Sequence, residues 1–178
     1  MSIFVDPKKA IEILDITPGL RVADIGCGVG HYTFAVAEKL KGKGKVYAVD
    51  IRKNVLGKVA SESKEKGYLN IETIWGDAEI DGGTRLAESS VDIVIASNIF
   101  FQVEKKEDLA KELSRILVKE GKLLVIDWSN SFGGLGPPED YIVSPEEIKK
   151  VCALFSLDFE EENETGTHHY ELLFKKNS

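Results

Sequence analysis

The sequence predicts an α/β domain with helices on both faces of a mostly parallel sheet, and three stretches predict it. Residues 21–25 (RVADI) read as an apolar strand running into Gly26, Gly28 and Gly30, followed by helix-compatible residues 32–40. Residues 45–49 (KVYAV) form a second strand that ends on Asp50, roughly twenty residues beyond the glycines. Residues 91–96 (VDIVIA) are almost continuously apolar, the pattern of a central strand covered on both faces.

The glycine turn also predicts a ligand site. Glycine tolerates positive φ and lets a ligand approach bare backbone, and the free N–H groups that open the next helix are hydrogen-bond donors. An acid placed like Asp50 can accept both hydroxyls of a ribose. The dinucleotide fingerprint G-x-G-x-x-G would want glycine at position 31, where this chain has His31. With 178 residues there is also no room for a second substrate domain, which argues against a dehydrogenase. We expect one domain over 1–178.

The remaining elements follow in order. Asp6 caps a short helix over 6–14, with Pro7 at its first position. Residues 54–66 set Val55, Val59 and Ala60 against a charged face, which predicts a surface helix stopped by Gly67. Residues 71–75 alternate as a strand and deliver Gly76, Asp77 and Ala78 to its carboxyl end, where ligands sit in open α/β sheets. The strand over 91–96 delivers Ser97 and Asn98 to the same edge. A helix over 106–117 places Leu109, Leu113, Ile116 and Leu117 inward; Gly121 breaks it, and a strand over 122–128 ends on Asp127 and Trp128. Residues 129–138 (SNSFGGLGPP) are the long irregular stretch, suited to a functional lid or to a plain connector. Ser144, Pro145 and Glu147 start a helix over 146–154, and two last strands, 155–161 and 168–174, flank a polar turn over 162–167.

The run 22–30 (VADIGCGVG) with 46–50 (VYAVD) resembles the first two motifs of class I S-adenosylmethionine (SAM) dependent methyltransferases. Residues 76–79 (GDAE), 91–98 (VDIVIASN) and 117–127 (LVKEGKLLVID) are similar, in order and spacing, to that family's later motifs. The likeness covers nearly the whole chain and is nearest to small members related to ubiquinone and menaquinone biosynthesis. It implies a single Rossmann-like doubly wound domain with a seven-stranded, mostly parallel sheet and an antiparallel C-terminal strand. It implies SAM as cofactor, with S-adenosyl-L-homocysteine as product. Binding is expected at Asp24, Gly26, Cys27, Gly28 and Gly30, at Asp50 for the ribose, at Ile51, at Asp77 and Ala78 for the adenine, and at Asn98. Phe100, Phe101 and Trp128 are expected to form the acceptor wall, although Phe100 and Phe101 could equally seat the next helix in the core.

Methyl transfer from a sulfonium needs no metal, and the two cysteines have no metal-ligand spacing. A general base is required only if the acceptor loses a proton. Candidates are His31, His168, His169, Asp127 and Tyr32, and His31 is singled out as catalytic because it opens the helix after the glycine loop. His168 and His169 point to opposite faces of a strand, so at most one can face a pocket. Cys27 needs no role beyond that of a small residue in a tight loop.

The formal charge of −7 argues against nucleic acid, whose binders usually present basic surfaces. The lack of an Asn-Pro-Pro-Tyr-like run at 97–100 argues against methylation of base amino groups. No apolar run could span a bilayer and no signal-peptide pattern opens the sequence, so a cytoplasmic protein is expected. A small organic acceptor is favoured. A protein or RNA methyltransferase subunit and a non-catalytic SAM-binding module that needs a partner stay open, as does the oligomeric state.

Overall fold

The computed structural model describes residues 5–132, 134 and 136–177. Its strands are β1 (Arg21–Ile25), β2 (Lys45–Asp50), β3 (Ile71–Trp75), β4 (Val91–Ser97), β5 (Leu117–Trp128), β6 (Leu157–Thr165) and β7 (His169–Lys176). They form one sheet in the order β3-β2-β1-β4-β5-β7-β6. The first five are mutually parallel, and β7 runs antiparallel to both β5 and β6. The strand order reverses direction beside β1 and β4, and that switch point is where open α/β sheets hold ligands.

The helices are α1 (Pro7–Ala10), continued by a 3-10 turn, α2 (His31–Leu40), α3 (Lys53–Glu65), α4 (Lys106–Ile116) and α5 (Pro145–Ala153). Alternation along the strands sorts the core into two layers. Ala23, Ile25, Val94, Ala96, Leu123, Val125, Leu172 and Phe174 face α4 and α5. Val22, Ile93, Ile95, Leu124, Ile126 and Leu173 face α1 and α2. The chain is therefore wound on both faces, as expected. Among the described residues no helix is long and apolar enough to cross a membrane.

Three local expectations are corrected. The segment read as a single helix over 6–14 is one α-helical turn and one 3-10 turn, ended by Asp15 in the left-handed region at φ 50°. The chain is extended from Leu117, five residues before the expected strand start, and it bulges: Val91 pairs with Leu117 but Ile93 already pairs with Lys122. Hydrophobic periodicity cannot reveal a bulge, because the extra residues carry no pattern of their own. The acid-rich residues read as a turn over 162–167 are mostly strand. β6 is an edge strand with exposed residues along most of its length, and charge on such an edge blocks pairing with another chain.

Two buried charged side chains anchor the sheet, one at the ligand edge and one at the opposite edge. Glu112 on α4 accepts from the amides of Gly82 and Thr84, from the Thr84 hydroxyl and from Arg115, which pins the loop after β3. Lys176 donates to the carbonyls of Ser114 and Leu117 at 2.8 and 2.9 Å, locking the end of β7 to the α4–β5 junction.

Candidate functional site

The glycine turn is pulled across the strand ends by its own backbone. The amides of Gly26 and Cys27 both donate to the Val49 carbonyl, at 2.8 and 3.0 Å. Gly26 sits at φ 71°, and a Cβ there would meet the Ile99 side chain at 3.0 Å, so this position requires glycine on both conformation and space. The Gly28 amide donates to the Asp50 carboxylate at 3.0 Å, tying the turn to the end of β2.

Asp50 is buried and carries four donors: the Gly28 amide, the Arg52 amide, and the Arg52 guanidinium through Nε and Nη2. Burial pushes its carboxyl up, but the Arg52 guanidinium and the two amides outweigh burial and hold it below the usual range. Four donors fill a carboxylate. Because 59% of the Arg52 side chain is exposed, it can leave at little cost and free acceptor sites on Asp50.

The loop after β3 is as tightly specified. The Asp77 amide donates to the Gly83 carbonyl, and a Cβ on Gly83 would lie only 2.1 Å from the Asp77 carbonyl. Asp77 itself caps the loop by accepting from the Glu79 amide at 2.9 Å. Gly26, Asp50, Ile51, Asp77, Ala78 and Asn98 thus line one cleft of about 200 Å³ across the ends of β1 to β4. Arg52, Glu79, Ile99, Gln102 and Val103 line it too, and these were not anticipated. Arg52 had a local signal, since a cation two residues beyond the expected ribose acid can reach it.

Four expected cofactor residues stand behind the cleft. Gly28 and Gly30 shape the turn. Cys27 packs with Ala48, Leu56 and Val59, where burial pushes its thiol up, so it is no nucleophile. Asp24 is buried beneath the turn and accepts from the Thr33 hydroxyl at 2.6 Å; burial raises its carboxyl to about 6. It braces the start of α2 rather than touching the cleft.

Asn98 follows β4 at φ 54° and borders two spaces. Beyond it lies a second cavity, about 380 Å³, lined by Val5, Pro7, His31, Tyr32, Ser97, Trp128 and His169. Trp128 and His169 also border a third space of about 640 Å³ toward Ser129, Asn130 and Tyr170. Asn98 carries a buried side-chain oxygen without a partner, at the junction of the first two spaces.

The aromatic wall is corrected in part. Trp128 faces the second cavity, but Phe100 is fully buried in the core beside Leu109 and Leu113, and Phe101 packs against that core. Phe100 lies in the turn that leads toward α4, and its ring packs under that helix. Asp127 is fully buried and accepts from the amides of Phe101 and Trp128, which excludes it as a base. His168 is on the other side of β7, bonded to Asn130 and stacked on Phe132, where it holds down the start of the 129–138 loop. Gly133 and Leu135 of that loop lie outside the described residues.

A Rossmann-like sheet thus carries a cleft at its switch point that meets a second cavity at Asn98. Residues 16–174 match the model of a methyltransferase domain family, and the chain belongs to that family, as a class I SAM-dependent methyltransferase domain. Among curated relatives it is similar to aklanonic acid methyltransferase from Streptomyces sp. (strain C5), 34% identical over 51% of this chain and 40% of that one. It is also similar to demethylmenaquinone methyltransferase from Bacillus velezensis, 28% identical over 68% of this chain and 51% of the relative. The chain therefore spans about half the length of these curated relatives or less. A SAM-dependent methyltransferase from Aquifex aeolicus shares the fold with a TM-score of 0.87, at 22% identity, covering 97% of this chain and 90% of the other.

Proposed function

We propose that this chain, as a single domain, transfers a methyl group from SAM to a small organic acceptor. The observation that carries the reading is the position of Asn98, which borders both the cleft built on Gly26, Asp50 and Asp77 and the cavity containing His31, Trp128 and His169. Two ligands held on either side of one residue are already close, and proximity with in-line alignment supplies much of the catalysis of a displacement reaction.

In this reading the glycine turn receives the methionine end, Asp50 the ribose hydroxyls once Arg52 swings out, and Asp77 with the Ala78 amide the adenine. The exposed Ile51 side chain offers the adenosine an apolar contact. SAM supplies an electrophilic methyl group on a sulfonium. The protein's part is to orient both partners and exclude water. His31, exposed on the first turn of α2, stands at the rim of the acceptor cavity. The names of the curated relatives, which act on aklanonic acid and demethylmenaquinone, support a small-molecule acceptor over nucleic acid. A cytoplasmic location belongs to the same reading.

The test has two stages. Calorimetry should show SAM binding to the wild type. A screen for SAM consumption over small phenols, quinols, amines and thiols should then find an acceptor. Binding without turnover on any acceptor would favour the SAM-binding module, and turnover only on protein or RNA would redirect the reading to a macromolecular substrate.

A further inference from the structure

The second and third cavities meet along one wall. The second, about 380 Å³, borders Asn98 and has His31, Tyr32 and Ser97 around it. The third, about 640 Å³, is lined by Glu139, Ser144, Glu162, Glu164 and Tyr170, among other residues. Among the described residues only Trp128 and His169 line both. These two are partners in the β5–β7 register, and their ring centroids lie 4.1 Å apart. The wall between the cavities is therefore a pair of aromatic side chains.

The pair is held from several sides. His169 is 4% exposed, and its Nδ1 is buried without a partner and closed to both cavities. Trp128 is half-buried at the end of β5, where its amide donates to the Asp127 carboxylate at 2.8 Å and the next amide, of Ser129, donates to the His168 carbonyl at 2.8 Å. The backbone of Gly136, at φ 83°, lies so close to the indole that a Cβ there would meet Cε3 and Cζ3 at 2.8 Å. An indole packed against a ring and a backbone segment has little room to change rotamer, so it acts as a wall of fixed shape. The spaces on its two sides differ in character. Among the described residues lining the second cavity none is a carboxylate, a lysine or an arginine, whereas three carboxylates line the third.

We propose that Trp128 is a specificity-determining residue: its indole closes the second cavity against the third and so limits the size of acceptor that can sit beside Asn98. The assignment rests on the methyltransferase reading above and narrows it to flat acceptors of one or two rings. Tyr32, Trp128 and the two histidines offer flat faces, against which flat rings pack well. The cavity is at the small end of the range of about 300–1,000 Å³ for small-molecule sites. A third fused ring meets the indole, and making room for it means displacing packed protein, which is how a rigid wall rejects a larger ligand.

The experiment compares wild type with Trp128→Phe and Trp128→Ala, each checked for folding by circular dichroism and for SAM affinity by calorimetry. Values of kcat/KM are measured on two ladders of one, two and three fused rings: phenol, 1-naphthol and 9-phenanthrol, and aniline, 1-naphthylamine and 9-aminophenanthrene. Wild type should be at least about 100-fold poorer on the three-ring member than on the better of the smaller two. Trp128→Ala should raise the three-ring value at least about tenfold while lowering the one-ring value, with SAM affinity within about twofold of wild type. Trp128→Phe, which keeps a ring against His169, should shift the same ratio at least about threefold and carries the test where the alanine variant is unstable. A merely structural role would lower all three values together. A wild type that takes three rings as readily as two overturns the proposal, as does a folded Trp128→Phe protein with the wild-type ratio. A wild type that binds SAM but methylates no member of either ladder overturns this assignment and leaves the cofactor reading standing; absence of SAM binding sinks both.

Discussion

On one side of Asn98 the cleft across the ends of β1 to β4 is built around charge that is locally paired, and on the other the second cavity holds a histidine that burial keeps uncharged. Asp50 is ionised and carries four donors, two of them from its near neighbour Arg52's side chain. Across Asn98, burial lowers His169 to about 4. The difference teaches how one sheet edge serves two tasks. In the proposed function, the paired charge would meet the polar groups of a nucleoside, and the drier cavity would hold the acceptor.

The sharpest way to break this comparison is at Phe100, expected in the acceptor wall but found in the core. Phe100→Ala should cost about 3–5 kcal/mol of stability in denaturant unfolding, the range for deleting a buried phenyl ring. A stable variant with a raised acceptor KM would return Phe100 to the cavity.

The next effect belongs to the cleft. Asp50→Ala should weaken SAM binding by about 1.5–3 kcal/mol, roughly 10- to 150-fold, through loss of the acceptor for two ribose hydroxyls. Calorimetry on the folded variant decides it, and unchanged affinity would remove Asp50 from the site.

Asp24 sharpens the comparison through pH. Its folded carboxyl, raised to about 6, keeps a proton that the unfolded chain has already released, so between about pH 4 and 6 the native state binds more protons and stability falls as pH rises. Asp24→Asn removes that penalty and can still accept from Thr33. It should therefore be more stable than wild type by about 1–2 kcal/mol at pH 8, with the gap closing by pH 4, as measured by thermal or urea unfolding across that range. His169 has the opposite sign. A depressed imidazole adds stability that is complete above about pH 6.5 and is lost as pH falls toward 4.

The smallest effect is expected at Arg52. Its pair with Asp50 is largely solvent-exposed on the arginine side, so Arg52→Gln should change stability by under about 1 kcal/mol. SAM should bind up to a few-fold more tightly, because its ribose no longer competes with the guanidinium. Weaker binding in this variant would mean that Arg52 assists the ligand instead.

The sequence by itself determined the alternation of strands and helices, the glycine turn and the acids at 50 and 77, because each is a local pattern. Strand periodicity, capping and turn chemistry act over a few residues, and the ends of β1, β2 and β3 inherit their positions from parallel pairing. It also placed His168 and His169 on opposite faces, which follows from alternation alone. Only the tertiary structure decided which face was the cavity. β7 runs antiparallel to β5, so its first residue pairs with the last residue of β5 and carries His169 to the ligand edge beside Trp128. A parallel β7 would have left His169 at the opposite edge. The burial that empties Phe100 from the acceptor wall, unpairs Nδ1 of His169 and raises Asp24 comes from packing between residues far apart in the chain, where no local pattern records it.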